Sequence, residues 1–339
     1  MSTSRPTVRY GIIGFGSFAE RAIAPAIRAS ANSELVAIQK RSRSAAQEKA
    51  SALSVPLAFD SVDELVNHPD VDAVFIVSAN SAHYEETLAA ARAGKHVLVE
   101  KPMAMNAHEA GDMIEACSRV RVKLMVGHMI RFSPLARRIQ HHVRSGTIGR
   151  VSFARSEYFY DARLTQRSWL TDRAIAGGGP IYDVGVHCLD TLRFVLDDEV
   201  ISVKSHLNPR PTDSATERTA SLSLEFSRGT AASILCSFEA PTRRSFIEVI
   251  GTEGILSASD FTLGDRTLLL EISLRTDGST VEVRHEEMSV PNLYVEEVTS
   301  FSSSILTDAD VAIPGIVGLM NQRVLDIALT GGGVISHSW

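Results

Sequence analysis

The chain lacks the features that mark secreted, membrane and nucleic-acid-binding proteins. Its three cysteines, Cys117, Cys188 and Cys236, are scattered and odd in number, which excludes a disulfide framework or zinc-type spacing and suits a reducing compartment. A formal charge of −6 argues against a nucleic-acid surface. No apolar run approaches the roughly 20 residues of a membrane span, and the polar start is unlike a secretory signal. We therefore expect a cytoplasmic protein whose partners include neither nucleic acid nor membrane.

The composition is that of a globular protein with more than one core. Hydrophobic residues make up 44% of the chain and charged residues 22%, as in ordinary folded proteins. A length of 339 residues exceeds what one core usually organises. We predict one domain over residues 1–128 and a second over residues 129–339.

The first domain alternates short apolar runs with helical patterns. The runs are rich in valine and isoleucine and apolar on both faces, which is typical of a parallel sheet covered by helices. We predict a doubly wound α/β domain of the Rossmann type. Its strands are expected at Val8–Ile13, Leu35–Gln39, Ala73–Val77, His96–Glu100 and Lys123–Gly127.

The pattern changes after about residue 150. Leu222, Leu224 and Phe226 alternate with polar residues, which indicates strands with one buried face. Several such runs predict a C-terminal α/β domain with a large open, mostly antiparallel sheet. Because a wide open sheet leaves one face uncovered, we expect another copy of the chain to cover it and form a homo-oligomer.

The first predicted strand leads directly into a glycine-rich turn. The segment Gly14-Phe15-Gly16-Ser17-Phe18-Ala19 matches G-x-G-x-x-A, a variant of the dinucleotide fingerprint. The first glycine permits the turn, the second lets the backbone approach a pyrophosphate, and the alanine keeps the helix close to the sheet. Free N–H groups at the helix start would bind the phosphates. The residues expected at the cofactor are Gly14, Gly16, Ser17, Phe18 and Ala19.

The second predicted strand is followed by cationic residues where NAD enzymes usually carry a carboxylate. Lys40, Arg41 and Ser42 stand there, and a ribose 2′-phosphate is bound by cationic donors and a hydroxyl. We therefore favour NADP(H) as the cofactor and keep NAD(H) as the alternative. The same residues could instead form a solvated basic loop.

Two further segments carry residues suited to proton transfer. Lys101 follows the strand His96–Glu100, at the carboxyl edge of the sheet where ligands bind. After Gly177-Gly178-Gly179-Pro180, a helix would place Asp183 and His187 one turn apart on one face. An acid and a base on one face can move a proton. The alternative interpretation is an acidic first turn followed by a packed histidine.

Together these motifs resemble the glucose–fructose oxidoreductase/inositol dehydrogenase/MocA (Gfo/Idh/MocA) family over residues 8 to about 197. The resemblance implies a nicotinamide cofactor and a sugar, sugar derivative or polyol as substrate. It also implies that Lys101, Asp183 and His187 line the active site, and that the peptide after Lys101 is often cis. Five more residues are expected near the cofactor: Ser78, Asn80, His83, Glu100 and Lys101.

The expected reaction is hydride transfer between nicotinamide and a carbinol or carbonyl carbon. His187 would exchange the hydroxyl proton, Asp183 would orient His187 or share that role, and Lys101 would stabilise charge on the same oxygen. No metal is expected. The substrate pocket is predicted to include His128, Arg131, Trp169 and Tyr182 besides Asp183 and His187, with Tyr160 and Arg167 as further polar candidates.

Three alternative functions remain open from the sequence. One is an NAD-dependent dehydrogenase of inositol or of a cyclic diol on the same scaffold. Another is a regulatory protein that binds the dinucleotide without catalysis, although Lys101, Asp183 and His187 are all present. The last is a redox-assisted glycosidase that retains NAD.

Overall fold

The computed structural model describes residues 7–165, 167–278 and 280–337. They form two compact units. The first unit extends to Gly127 and also includes Tyr294–Leu319, and the second comprises His128–Leu293 and continues from Met320. The predicted boundary lay at residue 128, but the segment Tyr294–Leu319, which we assigned to the second domain, lies with the first unit.

The first unit is built on a six-stranded parallel sheet in the order β3-β2-β1-β4-β5-β6. Its strands are β1 (Val8–Ile13), β2 (Ser33–Gln39), β3 (Leu57–Phe59), β4 (Ala73–Ile76), β5 (His96–Glu100) and β6 (Leu124–Gly127). A π-helical segment, Ala19–Ile23, runs into the first helix. The helices are α1 (Ala24–Ala29), α2 (Arg43–Ala52), α3 (Val62–Val66), α4 (His83–Arg92) and α5 (Ala107–Arg119).

The second unit is built on a nine-stranded, mostly antiparallel sheet in the order β14-β13-β12-β11-β7-β10-β9-β8-β15. Its helices are α6 (Pro134–Arg144), α7 (Arg173–Ala176) and α8 (Val186–Leu196). Its strands are β7 (Val151–Asp161), β8 (Val200–Asn208), β9 (Thr219–Phe226), β10 (Ala231–Ser237), β11 (Glu239–Gly251), β12 (Gly254–Ser259), β13 (Arg266–Asp277), β14 (Thr280–Val290) and β15 (Gly332–Val334). The last two helices of the chain are α9 (Leu293–Thr307) and α10 (Gly315–Leu329). From Tyr294 onwards α9 lies with the first unit, and α10 passes from the first unit to the second at Met320.

The strand order of the first sheet locates its ligand edge. The order reverses between β1 and β4, and ligands bind at such a switch point beyond the carboxyl ends of the strands. Gly14 follows β1 directly, and Val77 and then Ser78 follow β4. β4 is buried along its whole length, as expected of a strand covered on both faces.

One face of the second sheet packs against helices. α8 is almost wholly buried and packs on β7. The opposite face of the sheet carries the exposed apolar side chains that are discussed below. No helix in the described ranges is long and apolar enough to span a membrane.

The fold class predicted from the sequence is confirmed, with local differences. Three strands were not predicted: Leu57–Phe59, Gly254–Ser259 and Gly332–Val334. Each is short, and two of them begin with glycine, which weakens the strand signal. The glycine-rich end of the chain pairs with β8 through Gly332–Val334.

Candidate active site

The turn after β1 has the close approach that the glycine fingerprint requires. Gly14 has a φ of +79°, and a Cβ there would lie 2.5 Å from the Cα of Ser78. The Gly14 N–H donates to Gln39 Oε1 over 3.1 Å. A Cβ on Gly16 would meet no atom closer than 3.8 Å, so the backbone faces open space there. This is the cradle that a pyrophosphate needs.

The helix after this turn begins without a side-chain cap. Phe18 precedes the π-helical segment that starts at Ala19, and it forms no capping bond through its side chain. The Phe18 ring packs edge-on against Tyr294, with 5.6 Å between the ring centroids. The Glu20 N–H is already bonded to the Gly16 carbonyl. The N–H groups around Ser17 and Phe18 are therefore the ones placed for an anion at this helix start.

Some side chains of the basic segment after β2 already have partners within the protein, and others are exposed. Lys40 donates from Nζ to the Phe15 carbonyl over 2.7 Å. The Ser42 hydroxyl caps α2 by accepting from the Ala45 N–H. Arg43 binds both Asp60 and Glu64. Arg41 is exposed and has no carboxylate partner among the described residues, so its guanidinium is available to an anion.

The residues after β4 are tied to those after β5 through a buried histidine. His83 is 1% exposed, and its two ring nitrogens lie 3.0 Å from the Pro102 carbonyl and 3.3 Å from the Ser78 carbonyl. Burial lowers the pKa of His83 to about 4, so the ring is neutral at physiological pH. Asn80, also buried, opens the short turn that precedes α4.

The Glu-Lys-Pro segment lies at the end of β5. Glu100 is buried, and its Oε2 accepts from the Lys101 N–H over 3.2 Å. The Lys101–Pro102 peptide is cis. Lys101 itself is partly exposed. The first unit thus presents the glycine turn, the basic segment and Lys101 after the carboxyl ends of β1, β2 and β5.

In the second unit, a buried glutamate holds the start of the helix that carries Asp183 and His187. Pro180 has no N–H, and the flanking Gly179 and Ile181 N–H groups both donate to Glu217 Oε1, over 2.9 and 3.1 Å. Glu217 is wholly buried, and burial raises its pKa. Sequence reasoning missed Glu217, because it lies 38 residues from Gly179.

Asp183 is held by two neighbours, and we call these three residues the Asp183 cluster: Tyr160, Arg167 and Asp183. Arg167 donates to both carboxylate oxygens, from Nη1 over 2.9 Å and from Nη2 over 3.1 Å. The Tyr160 hydroxyl donates to Oδ2 over 2.5 Å and accepts from Arg167 Nη2 over 3.1 Å. The ion pair with Asp183 and its hydrogen bond raise the pKa of Arg167, although burial opposes this. Burial first, and then the Asp183 charge, raises the pKa of Tyr160.

His187 lies on the same helical run as Asp183, which continues from the π-helical segment Ile181–Gly185 into α8. It is 8% exposed. Its ring packs near Tyr158 at 6.2 Å between centroids. The second unit therefore brings the predicted acid and the predicted imidazole together on one buried helix.

Two predicted substrate residues lie in a different network. Arg131 forms a two-bond ion pair with Asp190, over 2.9 and 2.8 Å. His128 is buried, and its Nε2 lies 2.9 Å from Asn321 Nδ2, which also donates to Asp190 Oδ1 over 2.9 Å. Arg131, and secondarily His128, hold the pKa of Asp190 well below its usual range against the effect of burial. His128 and Arg131 are thus engaged within the second unit, and their role at a substrate stays a prediction.

The other two predicted substrate residues differ in accessibility. Tyr182 is 1% exposed, and its hydroxyl is bonded to Asp326 and Gln322, so it packs in the core of the second unit. Trp169 lies in the short 3₁₀ turn Ser168–Thr171 and is partly exposed. Of these two, only Trp169 is accessible to solvent, and its role at a substrate stays a prediction.

A Rossmann unit with a glycine turn, followed by a sheet unit with an acid and an imidazole on one helix, defines a dinucleotide-dependent oxidoreductase. The protein belongs to the Gfo/Idh/MocA family of oxidoreductases. Residues 8–128 match the family's NAD-binding Rossmann fold, and residues 136–257 match its C-terminal domain. The resemblance inferred from the motifs is confirmed.

Relatives of known activity are similar over most of the chain. A 1,5-anhydro-D-fructose reductase of Ensifer adhaerens is 32% identical over 306 residues, which cover 88% of each chain. An NADP(+)-dependent D-xylose 1-dehydrogenase of Haloferax volcanii is 30% identical over 94% of this chain and 95% of its own. The structure of an aldose-aldose oxidoreductase from Caulobacter crescentus is 26% identical with a TM-score of 0.86, and the match covers 97% of this chain and 100% of that one.

Proposed function

We propose that the protein transfers hydride between NADP(H) and a carbinol or carbonyl carbon of a sugar, sugar derivative or polyol. The proposal rests on two features that occur in the same chain. One is the glycine turn at Gly14, which leaves room for a dinucleotide pyrophosphate, and the other is the buried helical run that carries Asp183 and His187. The reductase and the xylose dehydrogenase named above act on sugars, which supports the substrate class.

The cofactor preference is argued from the residues after β2. The position where a carboxylate would bind a ribose 2′-hydroxyl holds none, and Arg41 is an exposed cation without a carboxylate partner in the described ranges. Lys40 is already bonded to the Phe15 carbonyl, yet its ammonium can donate twice more. The similar xylose dehydrogenase uses NADP. Lys40, Arg41 and Ser42 would hold the 2′-phosphate, and Gly14, Gly16 and Ser17 the pyrophosphate.

The chain's own residues would manage the proton and the developing charge. When bound, the nicotinamide accepts or donates the hydride. His187 would take the hydroxyl proton in oxidation and return it in reduction, which contributes about 10²–10⁴ in rate. The Lys101 ammonium would donate a hydrogen bond to the same oxygen and stabilise its negative charge. We propose Lys101, Asp183 and His187 as the catalytic residues.

A second candidate substrate class is a cyclic diol. A trans-1,2-dihydrobenzene-1,2-diol dehydrogenase of Mus musculus is 29% identical over 252 residues, which cover 73% of each chain. The test is a substrate panel of aldoses, ketoses, inositols, dicarbonyl sugars and cyclic diols, assayed in both directions with both cofactors. Turnover of a sugar or polyol is expected. Turnover of cyclic diols alone would favour the second candidate, and no turnover of any substrate would contradict the proposed function.

The choice of cofactor can be tested with one pair of variants. Arg41→Ala should lower kcat/KM for NADP by about 10- to 100-fold and leave that for NAD nearly unchanged, because one charged hydrogen bond is worth about 1.5–3 kcal/mol. Arg43→Ala is the matched control, since that arginine already binds Asp60 and Glu64. This variant should change kcat/KM little for either NADP or NAD. Equal or better use of NAD by the wild type would contradict the NADP preference.

We further propose that the protein is a cytoplasmic homo-oligomer. Its three cysteines are buried thiols, which suits a reducing compartment. Five large exposed apolar side chains lie on β10, β12, β13 and β14 of the second sheet: Leu235, Ile255, Leu269, Val281 and Val283. The strand register places all five on one face, because residues paired across the sheet share a face. A second copy of the chain would cover that face.

A further inference from the structure

The contacts of Asp183 decide between the two roles that the sequence left open for it, orienting His187 or sharing the proton. Both carboxylate oxygens accept bonds from Arg167, and Oδ2 also accepts from the Tyr160 hydroxyl. The Asp183 side chain is 10% exposed and that of Arg167 is 37% exposed. Protonating such a carboxylate would break or weaken bonds to a guanidinium in a partly dehydrated site.

The other titratable groups around Asp183 reinforce this arrangement. Burial raises the pKa of Tyr158 and Tyr160 on β7 and of Cys236 on β10, so these three groups keep their protons. Arg243 on β11 lies over the Tyr158 ring at 5.3 Å from the ring centroid. Asp183 therefore accepts bonds from one guanidinium, that of Arg167, and from one neutral hydroxyl, that of Tyr160, and both favour its charged form.

We propose that Tyr160 and Arg167 are positioning residues that hold Asp183 as a fixed, ionised carboxylate one helical turn before His187, so that His187 alone exchanges the substrate's proton. The proposal rests on the proposed function and assigns the proton step within it. A fixed negative charge one turn away stabilises the imidazolium that forms when the ring takes up a proton. In reduction, that imidazolium gives its proton to the carbonyl oxygen as hydride arrives at the carbon, and the ring returns to the neutral state. Tyr160 and Arg167, expected from the sequence at the substrate, act instead through Asp183.

The first test is the pH dependence of kcat/KM for alcohol oxidation. As the pH rises, kcat/KM of the wild type should increase through a single ionisation, that of His187. Arg167→Met should lower kcat/KM by about 10- to 100-fold and add a second ionisation on the acid side, because Asp183 then titrates in the working range. Arg167→Lys should recover part of the rate and of the profile, and Tyr160→Phe should lose about 3- to 10-fold.

A matched control is available in the same segment. Arg163 is exposed and pairs with Asp161, and Arg163→Met should keep the rate and the profile of the wild type. The proposal is overturned if Arg167→Met also keeps both. It is equally overturned if Arg167→Met retains the full kcat and its pH profile of kcat/KM still shows one ionisation, shifted to higher pH. Asp183 would then be the proton acceptor.

A second measurement separates this proposal from the proposed function. Unfolding in urea of Arg167→Met, Asp183→Asn and the double variant forms a double-mutant cycle. Non-additive losses, with the double variant less destabilised than the sum of the singles, are expected because each single change leaves a buried charge or donor without its partner. Additive losses would contradict the fixed carboxylate whatever the activity. Wild type without turnover on the whole panel would instead contradict the proposed function and the assignment of His187.

Discussion

Burial controls the charge of two side chains next to the cofactor cradle. His83 is buried between two carbonyl groups, and its pKa falls from 6.5 to about 4. Glu86 is also mostly buried and accepts from the Ser78 hydroxyl over 2.5 Å, and its pKa rises from 4.5 to about 7. The two shifts act on stability in opposite directions. The neutral His83 ring stabilises the fold above pH 6.5 and this is lost towards pH 4, whereas the neutral Glu86 stabilises it below pH 4.5 and this is lost towards pH 7.

Glu86→Gln therefore has an effect on stability that depends on pH. The amide keeps an acceptor for Ser78 and cannot ionise, so the variant should be more stable than wild type at pH 8 by up to about 3 kcal/mol and nearly equal to it at pH 4. Urea unfolding at the two pH values measures the difference. Glu85→Gln, at an exposed position of the same helix, should show no such dependence. A stability difference for Glu86→Gln that stays constant from pH 4 to pH 8 would contradict the buried-carboxyl account.

At the residue scale, the sequence identified groups whose role depends on local backbone. Gly14 and Lys101 were predicted because a turn and a strand end fix their positions within a few residues. Tyr160 and Arg167 were noted as polar candidates, but their bonds to Asp183 span 23 and 16 residues. A local sequence pattern does not indicate whether Tyr160 and Arg167 contact the substrate or Asp183.

At the scale of elements, the helix that carries Asp183 and His187 depends on Glu217. Glu217→Ala would leave the Gly179 and Ile181 N–H groups buried without their acceptor. We expect a loss of about 2–3 kcal/mol in the free energy of unfolding, with a fall in kcat because Asp183 and His187 shift with the helix start. Urea unfolding and steady-state rates measure both. Glu239→Ala, at an exposed position, is the control, and a Glu217→Ala protein as stable and active as that control would contradict the capping role.

The sequence predicts a helix or strand well where the apolar pattern is long, and poorly where the element has only a few residues. β9 shows strict alternation of buried and exposed residues, and the sequence indicates it directly. Leu57–Phe59 and Gly332–Val334 have three residues each and exist because β2 and β8 offer them free edges to pair with. Such pairing is a tertiary effect that period-two patterns do not contain. The sequence likewise does not indicate that Tyr294–Leu319 lies with the first unit.

At the scale of the whole molecule, the exposed apolar face of the second sheet predicts self-association. Val281 and Val283 are 59% and 53% exposed on that face. Light scattering coupled to gel filtration should give a dimer or a larger oligomer for the wild type and a smaller species for Val281→Glu/Val283→Glu, because buried carboxylates oppose association. Arg92→Glu, at an exposed position on α4 of the first unit, serves as a charge control. A monomeric wild type would contradict this interface.

The most direct test of the central claim compares His187→Ala with the wild type, with the exposed His141→Ala as control. Single-turnover rates and the NADPH dissociation constant are measured on a substrate that the panel identifies. We predict that His187→Ala loses about 10²–10⁴-fold in the chemical step, that NADPH binding stays within about twofold of wild type, and that the control matches the wild type in both. A His187→Ala protein that turns over at the wild-type rate would contradict the account.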